Sequence, residues 1–175
     1  CDLLAPWRVN LIAHDPYVDE SKFAHHNARP VDIETLLRTS DVITIHSNLT
    51  EETEHLISEA QFSMMKPTAI LLNAARGPIV DEEALFFALD RNTIAGAALD
   101  VFENEPLNLQ SPLRGLGDKV LVSPHMVSAN KGASLEPAVP WAINAAKSAM
   151  RGEVPRHVVN EAAIPKFLDR FGGKS

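Results

Sequence analysis

The sequence has one cysteine in 175 residues, Cys1, so no internal disulfide framework can form, and the composition fits a reducing, cytoplasmic compartment. It has no excess of positive charge. Sixteen Lys and Arg stand against 23 Asp and Glu, a formal net charge of −7, which argues against nucleic acid as a partner because phosphates need a basic surface. It has no long apolar run either: Ala69 to Ala75 falls far short of the roughly 20 residues that span a bilayer, so no membrane association is expected. No H-E-x-x-H or C-x-x-C spacing offers a metal site, and the adjacent His25 and His26 do not converge on one face, so no metal is expected. No G-x-S-x-G elbow presents a nucleophilic serine. Among the eight glycines there is no G-x-G-x-x-G phosphate loop.

What is present is ordinary globular material, 45% apolar and 22% charged, long enough for one core. Short apolar runs alternate with helix-like segments, the pattern of a parallel α/β sheet. The runs are Val9 to Ala13, Val42 to Ile45, Ala69 to Leu72, Ile94 to Leu99 and Val120 to Val122. Helical patterns cover Asp32 to Leu37, Glu51 to Ile57, Glu59 to Met65, Asp81 to Asp90 and Leu135 to Met150. Ser58 with Gln61 reads as a capping box, and Asn92 as a left-handed residue closing the 81–90 helix. The continuous apolar character of Ala69 to Leu72 predicts a strand covered on both faces. Residues 103–119 form a Pro- and Gly-punctuated loop long enough to suggest a function. His157 to Asn160 reads as a short strand, and Gly172 to Ser175 as a loose tail.

The polar residues follow the strands. Asp15, His46, Asn73 with Arg76, Asp100 with Glu105, and His125 each come just after a predicted strand end. In a parallel sheet those ends share one edge, and ligands bind in the crevice outside it. Arg76, before the permissive Gly77, suits bidentate carboxylate recognition; it could equally bond loop carbonyls. His125 after Pro124 has the pKa range for proton transfer near neutrality, or it is structural. Glu105 could orient that imidazole, or be a solvated loop acid. Asp15 stands where a dinucleotide-binding unit places its ribose-binding acid, and could instead open a turn with Pro16. His46 could line the same crevice.

Several of these motifs together resemble a known family. They are D-V-I-T-I-H at 41–46, L-T-E-E-T-E-H-L-I at 49–57, M-K-P-T-A-I-L-L-N-A-A-R-G-P-I-V-D at 65–81, I-A-G-A-A-L-D-V-F-E-N-E-P-L at 94–107 and S-P-H at 123–125. The stretch resembles the nicotinamide-binding domain of the D-isomer-specific 2-hydroxyacid dehydrogenases, a family that includes phosphoglycerate dehydrogenase, glyoxylate/hydroxypyruvate reductase, D-lactate dehydrogenase and formate dehydrogenase. The resemblance implies a doubly wound, Rossmann-like parallel α/β sheet and NAD as cofactor. It implies an oxidoreductase that moves a hydride between NAD(H) and a small D-2-hydroxy or 2-oxo acid. It also implies that Arg76 binds the substrate carboxylate, that His125 is the general acid/base, and that Glu105 tunes His125. Asp100 would sit near the nicotinamide carboxamide and Asp15 on the adenosine ribose, with His46, Asn73, Ala75, Arg76 and His125 along the cofactor. The parent enzyme would be a homodimer.

The chain departs from the family pattern at Asn48, where proline is usual, and in Met126-Val127-Ser128-Ala129-Asn130, which leaves substrate preference open. The missing phosphate loop and its strand would lie upstream of Cys1, about 20 residues before Asp15. The sheet is therefore expected to lack its first, central strand, with Val9–Ala13 and Ala69–Leu72 flanking the slot. The chain is expected to be an N-terminally truncated fragment, with residues 1–134 a partial NAD-binding domain and 135–175 a C-terminal helix and return segment toward the missing substrate domain. Two alternatives stand beside the enzyme: a non-catalytic NAD sensor resembling the C-terminal-binding co-repressors, and an inactive truncated product.

Overall fold

The computed structural model describes residues 2–126 and 138–172. The chain divides into two compact units, residues 1–125 and 126–175. The expected boundary between 134 and 135 lies outside the described residues, as do Cys1, most of the 126–130 segment and the last three residues of the tail.

In the first unit a 3₁₀ turn at Asp2–Trp7 leads into strand β1, Leu11–Ala13, helix α1, Glu20–His25, and strand β2, Ala28–Pro30. β1 and β2 form a two-stranded parallel sheet with Leu11 opposite Ala28 and Ala13 opposite Pro30. Helix α2, Ile33–Thr39, then precedes strand β3, Val42–Ile45. Helix α3, Glu59–Met64, strand β4, Ile70–Asn73, helix α4, Glu82–Asp90, and strands β5, Gly96–Leu99, and β6, Val120–Val122, complete the unit. β3, β4, β5 and β6 lie in that order in one parallel sheet, so every strand of the unit is parallel to its neighbours.

The helices start where short side chains satisfy their first free N–H groups. Asp32 accepts from Thr35 N at the head of α2, and Asp81 from Ala84 N at the head of α4. Ser58 and Gln61 close the predicted capping box on α3. Asn92, with φ 56°, turns the chain out of α4 in the left-handed conformation. Beneath the helices lies the core. Leu37 of α2, Phe62 of α3, and Leu85 and Leu89 of α4 pack with Ile43, Ile45, Leu71 and Leu99 from the strands. Each such side chain contributes roughly 1.5–3 kcal/mol by leaving water.

Coverage of the sheet is one-sided, which corrects the expectation of a strand buried on both faces. Leu71 is fully buried, but Ile70 on the opposite face is 42% exposed, as are its face-mates Val42 at 58% and Leu121 at 71%. Strand edges tell a related story. Among the described residues β1 pairs only with β2 and β3 only with β4. Among those residues the outer strands, β1 and β2 in one sheet and β3 and β6 in the other, each keep one unpaired edge, and β3 has the place beside the slot that was expected of Ala69–Leu72. β4, which the sequence reading placed beside the slot, is interior, because the crossover through α3 adds it on the far side of β3.

Two other expectations give way. Residues 51–57 form successive turns in place of a helix. The Thr53 hydroxyl accepts from Thr50 N and donates to Asn48 O, offering the backbone an alternative to helical bonding, and His55 adopts φ 51°. The segment ends as a parallel bridge between Ile57 and Val80. No strand forms at 157–160; His157 instead stacks on Trp141, with ring centroids 5.3 Å apart, inside the second unit. That unit's described residues contain helix α5, Val139–Met150, and helix α6, Ile164–Phe171, the latter unforeseen, like α1 and β2. The long 103–119 loop is organised by structural bonds: Arg114 donates to the carbonyls of Leu107 and Asn108, and Lys119 Nζ to those of Leu89 and Asp90 at the end of α4. Among the described residues no helix is long and apolar enough to cross a membrane.

Candidate active site at the strand ends

Because β3 to β6 are parallel and adjacent, the segments that leave their C-terminal ends emerge along one edge. His46 follows β3; Asn73, Ala75 and Arg76 close β4; Asp100 and Glu105 follow β5; His125 follows β6. Asp15 comes at the end of β1, in the other sheet.

The turn after β4 is built by Asn73. This side chain is 1% exposed; its amide Nδ2 donates to Arg76 O at 2.9 Å and its Oδ1 accepts from Ala75 N at 3.1 Å. Both ends of the amide thus fold the turn that presents Arg76, a task the sequence reading did not assign to it. Arg76 is exposed, and its Nη1 donates to Ala75 O at 2.6 Å, the loop-carbonyl contact foreseen as its alternative role. A guanidinium has five donors, so this bond leaves most of the fork for a carboxylate. Gly77 then brings this turn directly onto the loop after β5. A Cβ at Gly77 would lie 1.9 Å from the carbonyl carbon and oxygen of Phe102, so only glycine fits.

The loop after β5 carries two carboxylates in different settings. Asp100 is buried and accepts a 2.5 Å hydrogen bond from the Ser123 hydroxyl. Sequence reading gave Ser123 no role; a hydroxyl two residues before a candidate histidine was the available signal. Glu105 reaches His125: its Oε2 lies 2.7 Å from His125 Nδ1, while its Oε1 accepts from Phe102 N at 3.1 Å. The hydrogen bond with His125, and then that with the Phe102 N–H, hold the Glu105 carboxyl below the usual glutamate range. Both groups remain reachable, the Glu105 side chain 36% and the His125 side chain 49% exposed. His125 itself sits at φ 54°, a backbone state uncommon for a residue with a side chain and frequent at functional positions.

Two candidates stand apart from this cluster. His46 is exposed, its Nε2 3.1 Å from the Thr44 hydroxyl. Asp15 accepts from Tyr17 N with Oδ1 at 2.9 Å, the turn that was its alternative reading. A carboxylate has about four acceptor positions, so one N–H leaves room for a sugar's hydroxyls and the two readings are compatible. The residues fit the two ends of a dinucleotide: an exposed acid at the end of β1 and a polar cluster at the ends of β4 to β6. They include no glycine-rich cradle for the diphosphate between them. No group of three or more His, Cys, Asp or Glu side chains that could hold a metal occurs among the described residues.

Comparison with known proteins identifies the family. The family described as D-isomer specific 2-hydroxyacid dehydrogenase, NAD binding domain, matches residues 1–127. A glyoxylate reductase of Thermofilum pendens is 46% identical over 138 residues, which is 79% of this chain and 40% of that protein. A D-3-phosphoglycerate dehydrogenase of Archaeoglobus fulgidus is 44% identical over 127 residues, 73% of this chain and 24% of that one. Among solved structures, a D-lactate dehydrogenase with NAD⁺ from Lactobacillus jensenii superposes with a TM-score of 0.79 at 27% identity, covering 91% of this chain and 51% of that chain. The chain therefore spans well under half the length of these two curated relatives. With that family matched across residues 1–127 and its parallel α/β fold in place, the chain belongs to the D-isomer specific 2-hydroxyacid dehydrogenases, in their NAD-binding domain.

Proposed function

We propose that this chain forms the cofactor side of the active site of an NAD-dependent dehydrogenase or reductase acting on small D-2-hydroxy and 2-oxo acids. The observation that carries the reading is the 2.7 Å contact between His125 Nδ1 and Glu105 Oε2 at the sheet edge that also presents Arg76. His125 is the general acid/base. With its Nδ1 proton held on Glu105, Nε2 takes the proton of the 2-hydroxyl in oxidation and returns it to the 2-oxygen in reduction. Glu105 holds the imidazole in place through its Nδ1 and so aims Nε2 at the substrate oxygen. Arg76 binds the substrate carboxylate and 2-oxygen through its planar fork. Asp100 orients the nicotinamide carboxamide, with His46, Asn73 and Ala75 along the same wall. Asp15 accepts the adenosine ribose hydroxyls and disfavours a 2′-phosphate by charge. NAD, when bound, supplies the hydride donor or acceptor.

The substrate class is supported by the names of the relatives, glyoxylate reductase and D-lactate dehydrogenase. Residues 1–134 are read as the cofactor domain and 135–175 as the return toward a substrate domain. The parent protein is read as a homodimer from its resemblance to the family; the net charge of −7 speaks against nucleic acid as a partner, and the single cysteine fits a reducing, cytoplasmic compartment. The test is NADH oxidation by the natural gene product carrying this sequence, with glyoxylate, hydroxypyruvate and pyruvate in turn. Arg76→Gln and His125→Asn, the latter chosen because asparagine tolerates φ 54°, are expected to lower kcat/KM by about 10²–10⁴-fold. Near-normal kcat/KM in both variants would refute these roles. NADH binding without oxidation of any of the three acids would identify a non-catalytic NAD-binding relative instead.

A further inference from the structure

The Glu105–His125 contact poses a physical question. Both side chains are between one third and one half exposed, and exposed ion pairs of this kind hold geometry poorly by themselves, because they compete with water and with side-chain entropy. Something else must fix the loop. Three observations, none at His125 itself, converge on Glu103. Its Oε1 lies 3.0 Å from His55 Nε2 and accepts from Glu82 N at 3.1 Å. In return, Glu103 N donates to Glu82 Oε1 at 2.5 Å. Each carboxylate thus takes the other residue's backbone N–H, a reciprocal clasp between the first turn of α4 and the loop after β5. Finally, His55 N donates to Pro78 O at 2.8 Å, in the turn that follows Arg76 and whose Gly77 lies against Phe102. The segments bearing Arg76 and Glu105 are therefore closed into one ring of contacts through His55, Glu103 and Glu82.

We propose that Glu103, clasped to Glu82 and bonded to His55, is a positioning residue that fixes the Phe102–Glu105 loop and so holds the Glu105 carboxylate on His125. The logic is local. Phe102 N is the second donor to Glu105, and Phe102 adjoins the clasped Glu103. If the clasp opens, the Phe102 N–H swings away and Glu105 loses the bond that, after His125, does most to keep its carboxyl below the usual range. Glu82 is itself pushed up, chiefly by burial, so the helix side of the clasp is held at some cost to its ionisation. The other titratable groups are His55 on Glu103, Asp81 next to Glu82 at the head of α4, and, on Glu105 itself, Asp100, which opposes its lowering.

The consequence for catalysis rests on the proposed function, but the positioning does not, and the experiment separates them. The Glu105 carboxyl is followed by carbon NMR titration in the folded protein, alongside urea unfolding. In Glu103→Ala the Glu105 midpoint rises toward that of an ordinary glutamate, while Glu103→Gln, which keeps an acceptor oxygen for His55 and Glu82 N, leaves it low. Glu82→Ala, which opens the clasp from the helix side, raises it as well and serves if Glu103→Ala does not fold. A Glu105 midpoint unmoved in a folded alanine variant, or raised as much in Glu103→Gln as in Glu103→Ala, would overturn the assignment. A merely structural Glu103 would shift the unfolding midpoint and leave the Glu105 titration in place. In an active enzyme the acid limb of the pH–rate profile moves with the same variants. Absence of NADH oxidation in the unmodified protein sinks the functional reading and leaves the titration to be judged alone.

Discussion

The two sheets of the first unit are made of similar material and end in different states. β1, Leu-Ile-Ala, and β3, Val-Ile-Thr-Ile, are both short, apolar, parallel and paired on one edge among the described residues. β3 contributes Ile43 and Ile45 to the core, whereas all of β1 stays half-exposed, and Ala28 of β2 is the only buried residue described before Leu37. The difference lies above the strands. α2, α3 and α4 supply Leu37, Phe62, Leu85 and Leu89 as a continuous apolar layer over β3 to β5, while α1, six residues long, buries none of its own side chains. An apolar strand is buried by the layer laid over it, and its own composition does not guarantee that.

The largest expected effect sharpens this contrast inside the four-stranded half. Gly77→Ala must drive Phe102 and its loop away from the Arg76 turn, and should destabilise by about 4 kcal/mol or more in urea unfolding. Gly115→Ala, whose added methyl group meets nothing within 4 Å, should change stability by less than about 1 kcal/mol. Similar values for the two would break the claim of close approach. Next in size, Leu71→Ala removes a fully buried side chain from β4 and should cost about 2–5 kcal/mol. Ile12→Ala in half-exposed β1 should cost about 1 kcal/mol, and equal losses would show that β1 has a core of its own.

The smallest effect concerns acid. A carboxyl held below its unfolded value stabilises the fold above that unfolded value and loses the contribution as pH falls through the lowered one. Glu105 is such a group, so Glu105→Gln should cost stability near neutral pH and progressively less as the medium is acidified. Because the side chain is 36% exposed, the difference should be modest. Unfolding midpoints across a pH series that stay a constant distance apart would exclude this role.

Much of the four-stranded half was legible in the sequence because local signals agreed with the fold. The strands at 42–45 and 120–122, the Ser58–Gln61 capping box, the 81–90 helix and its Asn92 terminus emerge as read. Legibility failed where partners decide. Residues 51–57 have helical composition, but the Thr53 hydroxyl and a bridge to Val80 capture the backbone. Residues 157–160 have strand composition and no strand forms from them. α1 and β2 are too short to show periodicity, and β4's interior place depends on the crossover, which no single segment reveals. At the site, the residue types and their strand-end positions were readable. The close approach at Gly77, the two-ended use of Asn73 and the clasp at Glu103 were not, since each joins segments distant in sequence or depends on side-chain direction.

Lys119 gives the opposite edge of the sheet a different chemical character. Its ammonium, at the start of β6, donates to the last carbonyls of α4, at 2.8 Å to Leu89 O and 3.2 Å to Asp90 O. A cation thus complements the negative end of a helix dipole there, whereas at the strand ends carboxylates take backbone N–H groups. The Lys119 tie and the Glu105 loop answer to different reagents. Acid neutralises the carboxylates that order the loop around Glu105 and leaves Lys119 charged. Amine acylation removes the charge on Lys119 and leaves those carboxylates untouched. The Glu105 loop and the Lys119 tie to α4 can each be loosened chemically while the other keeps its contacts.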